Sequence, residues 1–185
     1  MVYVFLADGF EETEAIAPID MLRRAGKEVV TVGVTGKIVT SSHGIPVEAD
    51  IIEDEFTDEN TDLSNIEMIV LPGGMPGTLN EEASSVVQVA IDYCAENNLP
   101  IGAICAAPSI LGHKGLLNGK NAICYSGFEK ELIGAVIAKD KGVVTDGNIT
   151  TARGAGVAIE FGLELVRILC GSDAKDKLKE SILMD

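Results

Sequence analysis

The run Leu99-Pro100-Ile101-Gly102-Ala103-Ile104 is apolar and strand-like, and it ends on a cysteine, Cys105. Ala106-Ala107-Pro108 follow, and then a helix-like pattern, Ser109-Ile110-Leu111. This order predicts a thiol on a sharp strand-to-helix turn. The first N–H groups of a helix have no internal partner and carry partial positive charge. A cysteine beside them is favoured as thiolate, its nucleophilic form. Small neighbours let a chain turn tightly around a nucleophile, and Ala103, Ala106 and Ala107 meet that need. A free cysteine is also commonly a small buried hydrophobe, so this segment alone leaves both roles open.

Two other strand ends carry residues of matching chemistry. The segment after Val2–Ala7 brings Glu11, Glu12 and Glu14, and the segment after Glu67–Leu71 brings Gly73 and Gly74. Glycines at a strand end let backbone N–H groups approach a bound group closely. The N–H groups of Gly74 and Ala106 together would form an oxyanion hole. A carboxyl beside a thiolate either donates a hydrogen bond or shuttles protons as general acid and base. Two such groups titrate as a coupled pair. Acids also cluster at helix N-termini for electrostatic reasons alone. That suffices for Glu11 and Glu12, and less well for Glu14 if its side chain points inward. Pro18 predicts a helix that starts near Glu14 or Ala15, because proline is tolerated near a first turn.

The elements that must hold these residues follow from periodicity. Val2 to Ala7 is continuously apolar, as in a parallel strand covered on both faces. A helix is predicted over 14–25, with apolar Ala15, Ile16, Ile19, Leu22 and Ala25 and a stop at Gly26. Strands are predicted over 28–34 and 67–71, and a hairpin or paired short strands within 37–52. A helix over 83–97 leads into the strand that ends at Ile104. Further strands are expected at 121–125 and 142–146, the latter closed into a hairpin by 148–152, then helices at 156–169 and 173–183. Alternating strands and helices imply an α/β fold with a mainly parallel sheet, in a single domain over residues 1–185. Sites in such sheets lie beyond the carboxyl ends of the strands, where all three loops begin.

Composition narrows the function. The chain has 185 residues, a net charge of -15, 4% aromatics and no tryptophan. Nucleic acids and anionic membranes need a basic footprint, so neither is an expected partner. Much of the acid lies between Glu53 and Asp62 and reads as a solvated loop. No apolar run approaches the roughly 20 residues of a membrane span. The N-terminus reads directly as a strand, without the basic and cleavage regions of a signal peptide. Cys94, Cys105, Cys124 and Cys170 are widely spaced and form no zinc pattern with His43 and His113. The expectation is a cytoplasmic protein with reduced thiols and no metal.

Several motifs, in order, resemble the ThiJ/PfpI superfamily. They are Asp8-Gly9-Phe10-Glu11-Glu12-Thr13-Glu14, Pro18-Ile19-Asp20, Arg23-Arg24-Ala25-Gly26, Leu71-Pro72-Gly73-Gly74, Ala103 to Pro108, and Thr151-Ala152-Arg153-Gly154-Ala155-Gly156. The branch most similar is that of the Parkinson-disease-linked protein deglycase and its bacterial relatives. The resemblance implies a flavodoxin-like, class I glutamine amidotransferase-like α/β sandwich, a homodimer and no cofactor. It implies Cys105 as nucleophile or oxidisable thiol, Glu14 as its carboxyl partner, Gly74 and Ala106 as backbone donors, and Gly73, Gly154 and Ala155 beside the thiol. Its leading implication for function is cysteine-dependent chemistry on a small reactive carbonyl or a glycated adduct, of glyoxalase or deglycase type. A redox sensor or oxidative-stress chaperone, with Cys105 oxidised to sulfinate, is the alternative. Weaker alternatives are an amidase or peptidase, and the thiazole step of thiamine synthesis.

This chain departs from the family pattern twice. The protease branch carries a histidine directly after the cysteine, where Ala106 stands here, so a peptidase lacks its base. The deglycase branch often carries a histidine where Tyr125 stands in Cys124-Tyr125-Ser126. With an ordinary pKa near ~10, a tyrosine is a poor base at neutral pH. His43 matches a position that carries a basic residue near the dimer interface in relatives, and is a candidate contribution from a partner chain. His113 reads as a cation at a helix C-terminus, Cys94 and Cys170 as packing, and Cys124 as a candidate resolving thiol.

Overall fold

Val2–Leu6 (β1) is buried at every position, because helices cover both faces of the strand. In the computed structural model, which describes residues 1–56 and 63–184, the chain continues through α1 (Glu12–Arg24), β2 (Val29–Gly33), β3 (Ile38–Thr40), β4 (Pro46–Glu48), β5 (Ile51–Ile52) and α2 (Glu53–Phe56). Then come β6 (Met68–Leu71), α3 (Gly77–Ala83), α4 (Ser85–Glu96), β7 (Ile101–Ile104) and α5 (Pro108–His113). The last part holds β8 (Asn121–Ala122), β9 (Val136–Ile137), β10 (Val143–Asp146), β11 (Ile149–Ala152), α6 (Ala158–Cys170) and α7 (Ser172–Ser181).

Seven strands form one sheet in the order β10-β11-β7-β6-β1-β2-β5, with only the β10–β11 pair antiparallel. This is the expected flavodoxin-like α/β sandwich. Phe5, Phe56, Leu71, Ile91 and Ile110 pack one face. Leu6, Leu22, Val70, Phe161 and Leu165 pack the other. Each such side chain, fully buried, contributes about 2–3 kcal/mol. On the second face α1 and α6 approach closely at Gly162. A Cβ there would lie 2.9 Å from Pro18 Cα and 2.8 Å from Met21 Cγ.

Four expectations change. Helix α1 begins at Glu12, two residues early, because the Glu11 carboxylate caps it by accepting from Glu14 N at 2.7 Å. Pro18 therefore sits in the helix interior, where it has no N–H to offer the Glu14 carbonyl. The helix expected over 83–97 is α4, Ser85–Glu96, capped by Ser84 Oγ, which accepts from Val87 N at 3.2 Å, and a further helix, α3, precedes it where none was expected. The strand expected over 121–125 shrinks to β8, which pairs with β9 outside the main sheet. The β3–β4 hairpin also stands apart from that sheet, and β5 supplies its far edge against β2. Of the acidic stretch 53–62, α2 is described, and residues 57–62 lie outside the described residues.

Candidate active site

The carboxyl ends of β1, β6 and β7 meet at Cys105. The cysteine closes β7, and its N–H donates to the Ala152 carbonyl at 2.8 Å. Its own carbonyl accepts from Tyr125 N at 2.8 Å. Held between these bonds, Cys105 has φ +65°, the left-handed region that non-glycine residues rarely adopt. Such strain at a single reactive side chain is a feature of functional turns. The expected elbow is therefore present, with α5 starting three residues later.

Glu14 projects from the first turn of α1 and is 1% exposed. Its Oε2 accepts from Gly73 N at 3.2 Å, and the Ala155 N–H also reaches the carboxyl. Glu14 and the Cys105 thiol are hydrogen-bonded to one another. Glycine at position 73 is a steric necessity, since a Cβ there would sit 2.5 Å from both Cys105 Cβ and Glu14 Oε2. Glu11 N donates to the Gly73 carbonyl at 2.8 Å, which ties the start of α1 to the glycine loop.

The electrostatics alter one expectation. Gly74 and Ala106 N–H groups do point at the Cys105 sulfur and favour its charged form. Burial opposes them, and so do the charge and the hydrogen bond of Glu14, so that the thiol is pushed up to about 12. Burial likewise pushes Glu14 up to about 7, against the Cys105 hydrogen bond. The turn alone thus does not make a thiolate. Above about pH 7 the pair carries one charge and one proton between them. The thiolate form is the one in which Glu14 keeps the proton and donates it to sulfur.

Tyr125 stands beside the site and is 54% exposed. With Cys124, Arg153, Gly154 and Ala155 it lines a cavity of about 630 Å³. A Cβ on Gly154 would lie 3.5 Å from the Tyr125 ring and 3.7 Å from Glu14 Oε1, so this cavity adjoins the carboxyl. His43 is not brought to Cys105. It is 68% exposed on the β3–β4 hairpin, with Nδ1 2.9 Å from Glu12 Oε1. Glu11, Glu12 and His43 hold ligand atoms within 4.8 Å of one another, the one such group among the described residues. His113 ends α5 as expected and pairs with Glu82 and Glu131. All four cysteines are free. Cys124 packs into the core on one face of the sheet and Cys105 against the other. Sequence reasoning missed Thr78 and Glu81, which α3 buries completely; neither lies at an apolar spacing that would signal burial.

A strained cysteine at the end of a parallel strand, a buried carboxyl against it and two backbone donors on its sulfur define an α/β protein with a thiol–carboxyl site at a strand-to-helix turn. The chain belongs to the DJ-1/PfpI family, which it matches over residues 1–168. It is 34% identical to Protein DJ-1 homolog B of Arabidopsis thaliana over 99% of its length, and covers 41% of that protein. For homolog A of the same plant the identity is 35% and the covered share 46%, so the chain spans less than half of either relative. It is 33% identical to Deglycase PfpI of Pyrococcus furiosus, with 91% of this chain and 99% of that one covered. The structure of oxidized Toxoplasma gondii DJ-1 superposes with a TM-score of 0.89 at 33% identity, covering 99% of this chain and 97% of that one.

Proposed function

We propose that this chain is a cysteine-dependent enzyme acting on small reactive carbonyls or early glycation adducts, of glyoxalase or deglycase type. The observation that carries the reading is the Glu14–Cys105 pair, a thiol and a buried carboxyl that share one proton. The deglycase name of the Pyrococcus furiosus relative supports it. With methylglyoxal, the Cys105 sulfur bonds to the aldehyde carbon and Glu14 protonates the oxygen, giving a hemithioacetal. Glu14 then takes the proton from that carbon and returns it to the neighbouring one, while the hydroxyl proton passes from the first oxygen to the second, leaving a thioester of a 2-hydroxy acid. Water cleaves the thioester to lactate and frees Cys105. The Gly74 and Ala106 N–H groups hold the oxygen that gains charge. No cofactor enters these steps.

The protein acts in the cytoplasm as a homodimer in this reading. Exposed Ile16, Ile45 and Ile159 form an apolar groove beside Glu12 that suits a second copy. His43 then stands at that face.

Lactate formation from methylglyoxal, compared between wild type and Cys105→Ser in matched preparations, tests the reading. Lactate from wild type alone is expected. Equal lactate from both, or none from wild type, overturns it. A second reading rests on the same pair. A protonated Glu14 also stabilises a sulfinate on Cys105, and the solved structure of the Toxoplasma gondii relative is of an oxidized form. Peroxide that oxidises Cys105 selectively, in a chain that makes no lactate, favours that reading.

A further inference from the structure

Behind the site lies a second buried carboxyl that the chemistry above does not use. Glu81, on α3, is 0% exposed, and neither of its oxygens has a partner among the described residues. One helical turn earlier, Thr78 is 1% exposed, and its Oγ1 likewise has no partner among the described residues. Residues three apart share a helix face, so the three orphan oxygens belong to one buried face of α3. A carboxyl left this way is costly, and an apolar residue of similar size would avoid the cost.

The position of α3 gives that cost a purpose. The helix grows directly out of the Gly73-Gly74 loop, and Thr78 N donates to the Gly74 carbonyl at 2.9 Å. Its first residue is packed onto the backbone that leads into α1, since a Cβ on Gly77 would lie 2.6 Å from Phe10 N. Glu81 therefore sits where the Glu14 charge is felt. Burial first, and then that charge, push Glu81 well above the ordinary carboxylate range and keep it neutral. Around α3 the other acids are engaged: Glu82 with His113, Glu53 with Ser84 at the start of α4, and Glu11 with Glu14 N. Glu14 is the carboxylate to which Glu81 responds.

We propose that Glu81 is a positioning residue for Glu14, a neutral internal acid joined to it by an ordered water that Thr78 Oγ1 also binds. In the step this allows, Glu81 gives its proton to the water and the water gives one to the Glu14 carboxylate. Glu81 is left as carboxylate and Glu14 as acid, and the reverse transfer restores both. No electrons move. Paired acids whose surroundings push their protonation apart are a recurrent acid–base device, and orphaned buried oxygens are the usual hosts of internal water.

The role in turnover rests on the carbonyl-enzyme reading, but the proton state does not. Infrared spectra of the full chain without substrate, at pH 8, should show a neutral-carboxyl band that Glu81→Gln removes and Glu14→Gln shifts. A spectrum unchanged by Glu81→Gln, or a Glu81 band insensitive to Glu14→Gln, overturns the proposal. In turnover, Glu81→Gln should lower kcat about tenfold, with KM nearly unchanged and the solvent isotope effect altered, and Glu81→Asp should recover part of the loss. Glu81→Leu should melt higher than wild type yet turn over as slowly as Glu81→Gln. A Leu variant with wild-type kcat and isotope effect would show a merely tolerated burial and overturn the proposal. Absence of turnover in wild type would remove the carbonyl reading, and the substrate-free spectra would still decide the Glu14–Glu81 link.

Discussion

Glu14 and Cys105 meet across the space that the missing side chain of Gly73 leaves open. A Cβ at position 73 would overlap both Cys105 Cβ and Glu14 Oε2, each 2.5 Å away. Neither neighbour can yield easily, since Cys105 is fixed by its turn and Glu14 by two backbone donors. Gly73→Ala should therefore separate the pair, take the Glu14 charge and hydrogen bond away from the thiol, and speed alkylation of Cys105 at pH 8 by about tenfold. Gly156→Ala is the control, because open space surrounds that position in the same cavity lining. Timed iodoacetamide labelling followed by mass spectrometry distinguishes them, and equal rates would contradict the steric argument.

Glu14 links the site to stability. Its carboxyl titrates at about 7 when folded, against an ordinary 4.5. The folded state thus holds a proton that the unfolded chain releases earlier. The stability this confers is full below pH 4.5 and is lost as pH rises through about 7. A shift of this size corresponds to roughly 3 kcal/mol. Glu14→Gln has no such titration, so urea unfolding should show wild type losing ground to the variant by about that amount between pH 4.5 and pH 8. Parallel stability curves would contradict it. The same variant removes the charge that holds the thiol up, so Cys105 alkylates faster at pH 8. Its turnover of methylglyoxal falls about a hundredfold, because the proton carrier is gone.

The left-handed backbone at Cys105 is a cost paid for placement of the thiol. With φ +65° any side chain here is strained, by about 1 kcal/mol or more. Cys105→Gly and Cys105→Ala both delete the thiol, but only glycine relieves the turn. The glycine variant should be the more stable of the two by about 1 kcal/mol, even after its greater freedom when unfolded. Denaturation midpoints of the two variants measure the difference directly, and identical midpoints would mean the turn is unstrained.

Much of the site is legible in the sequence because it lies where continuous apolar strands stop. Leu71 is followed by Gly73-Gly74, and Ile104 by Cys105. Parallel strands must end at one edge, so these residues converge without knowledge of their contacts. Glu14 is legible only in part, since acids at a helix start are ordinary. What hid α3 is its lack of an apolar stripe: in Gly77-Thr78-Leu79-Asn80-Glu81-Glu82-Ala83 the apolar Leu79 is exposed and the charged Glu81 is buried. Glu81-Glu82 reads as a solvated pair, and only the packing of the helix turns the first inward and sends the second to His113. The pKa of Cys105 is likewise illegible. It depends on burial and on the Glu14 charge, both set by tertiary contacts.

Tyr125 stands where the resemblance read from the sequence implies a histidine, and the position is open to substitution. Its N–H bond to the Cys105 carbonyl belongs to the backbone and survives substitution. Its ring is half-exposed at the cavity mouth beside Gly154, so an imidazole fits the space without repacking. An imidazole gains and loses a proton near neutral pH, which suits it to the base role there. Tyr125→His should raise kcat for methylglyoxal several-fold and add an acid limb to the pH–rate profile near ~6.5. Tyr125→Phe should leave the rate within about twofold of wild type, because the hydroxyl is not the working base. A large loss in Tyr125→Phe would assign the hydroxyl a direct role. An unchanged rate in Tyr125→His would mean that Glu14 already moves every proton the reaction needs.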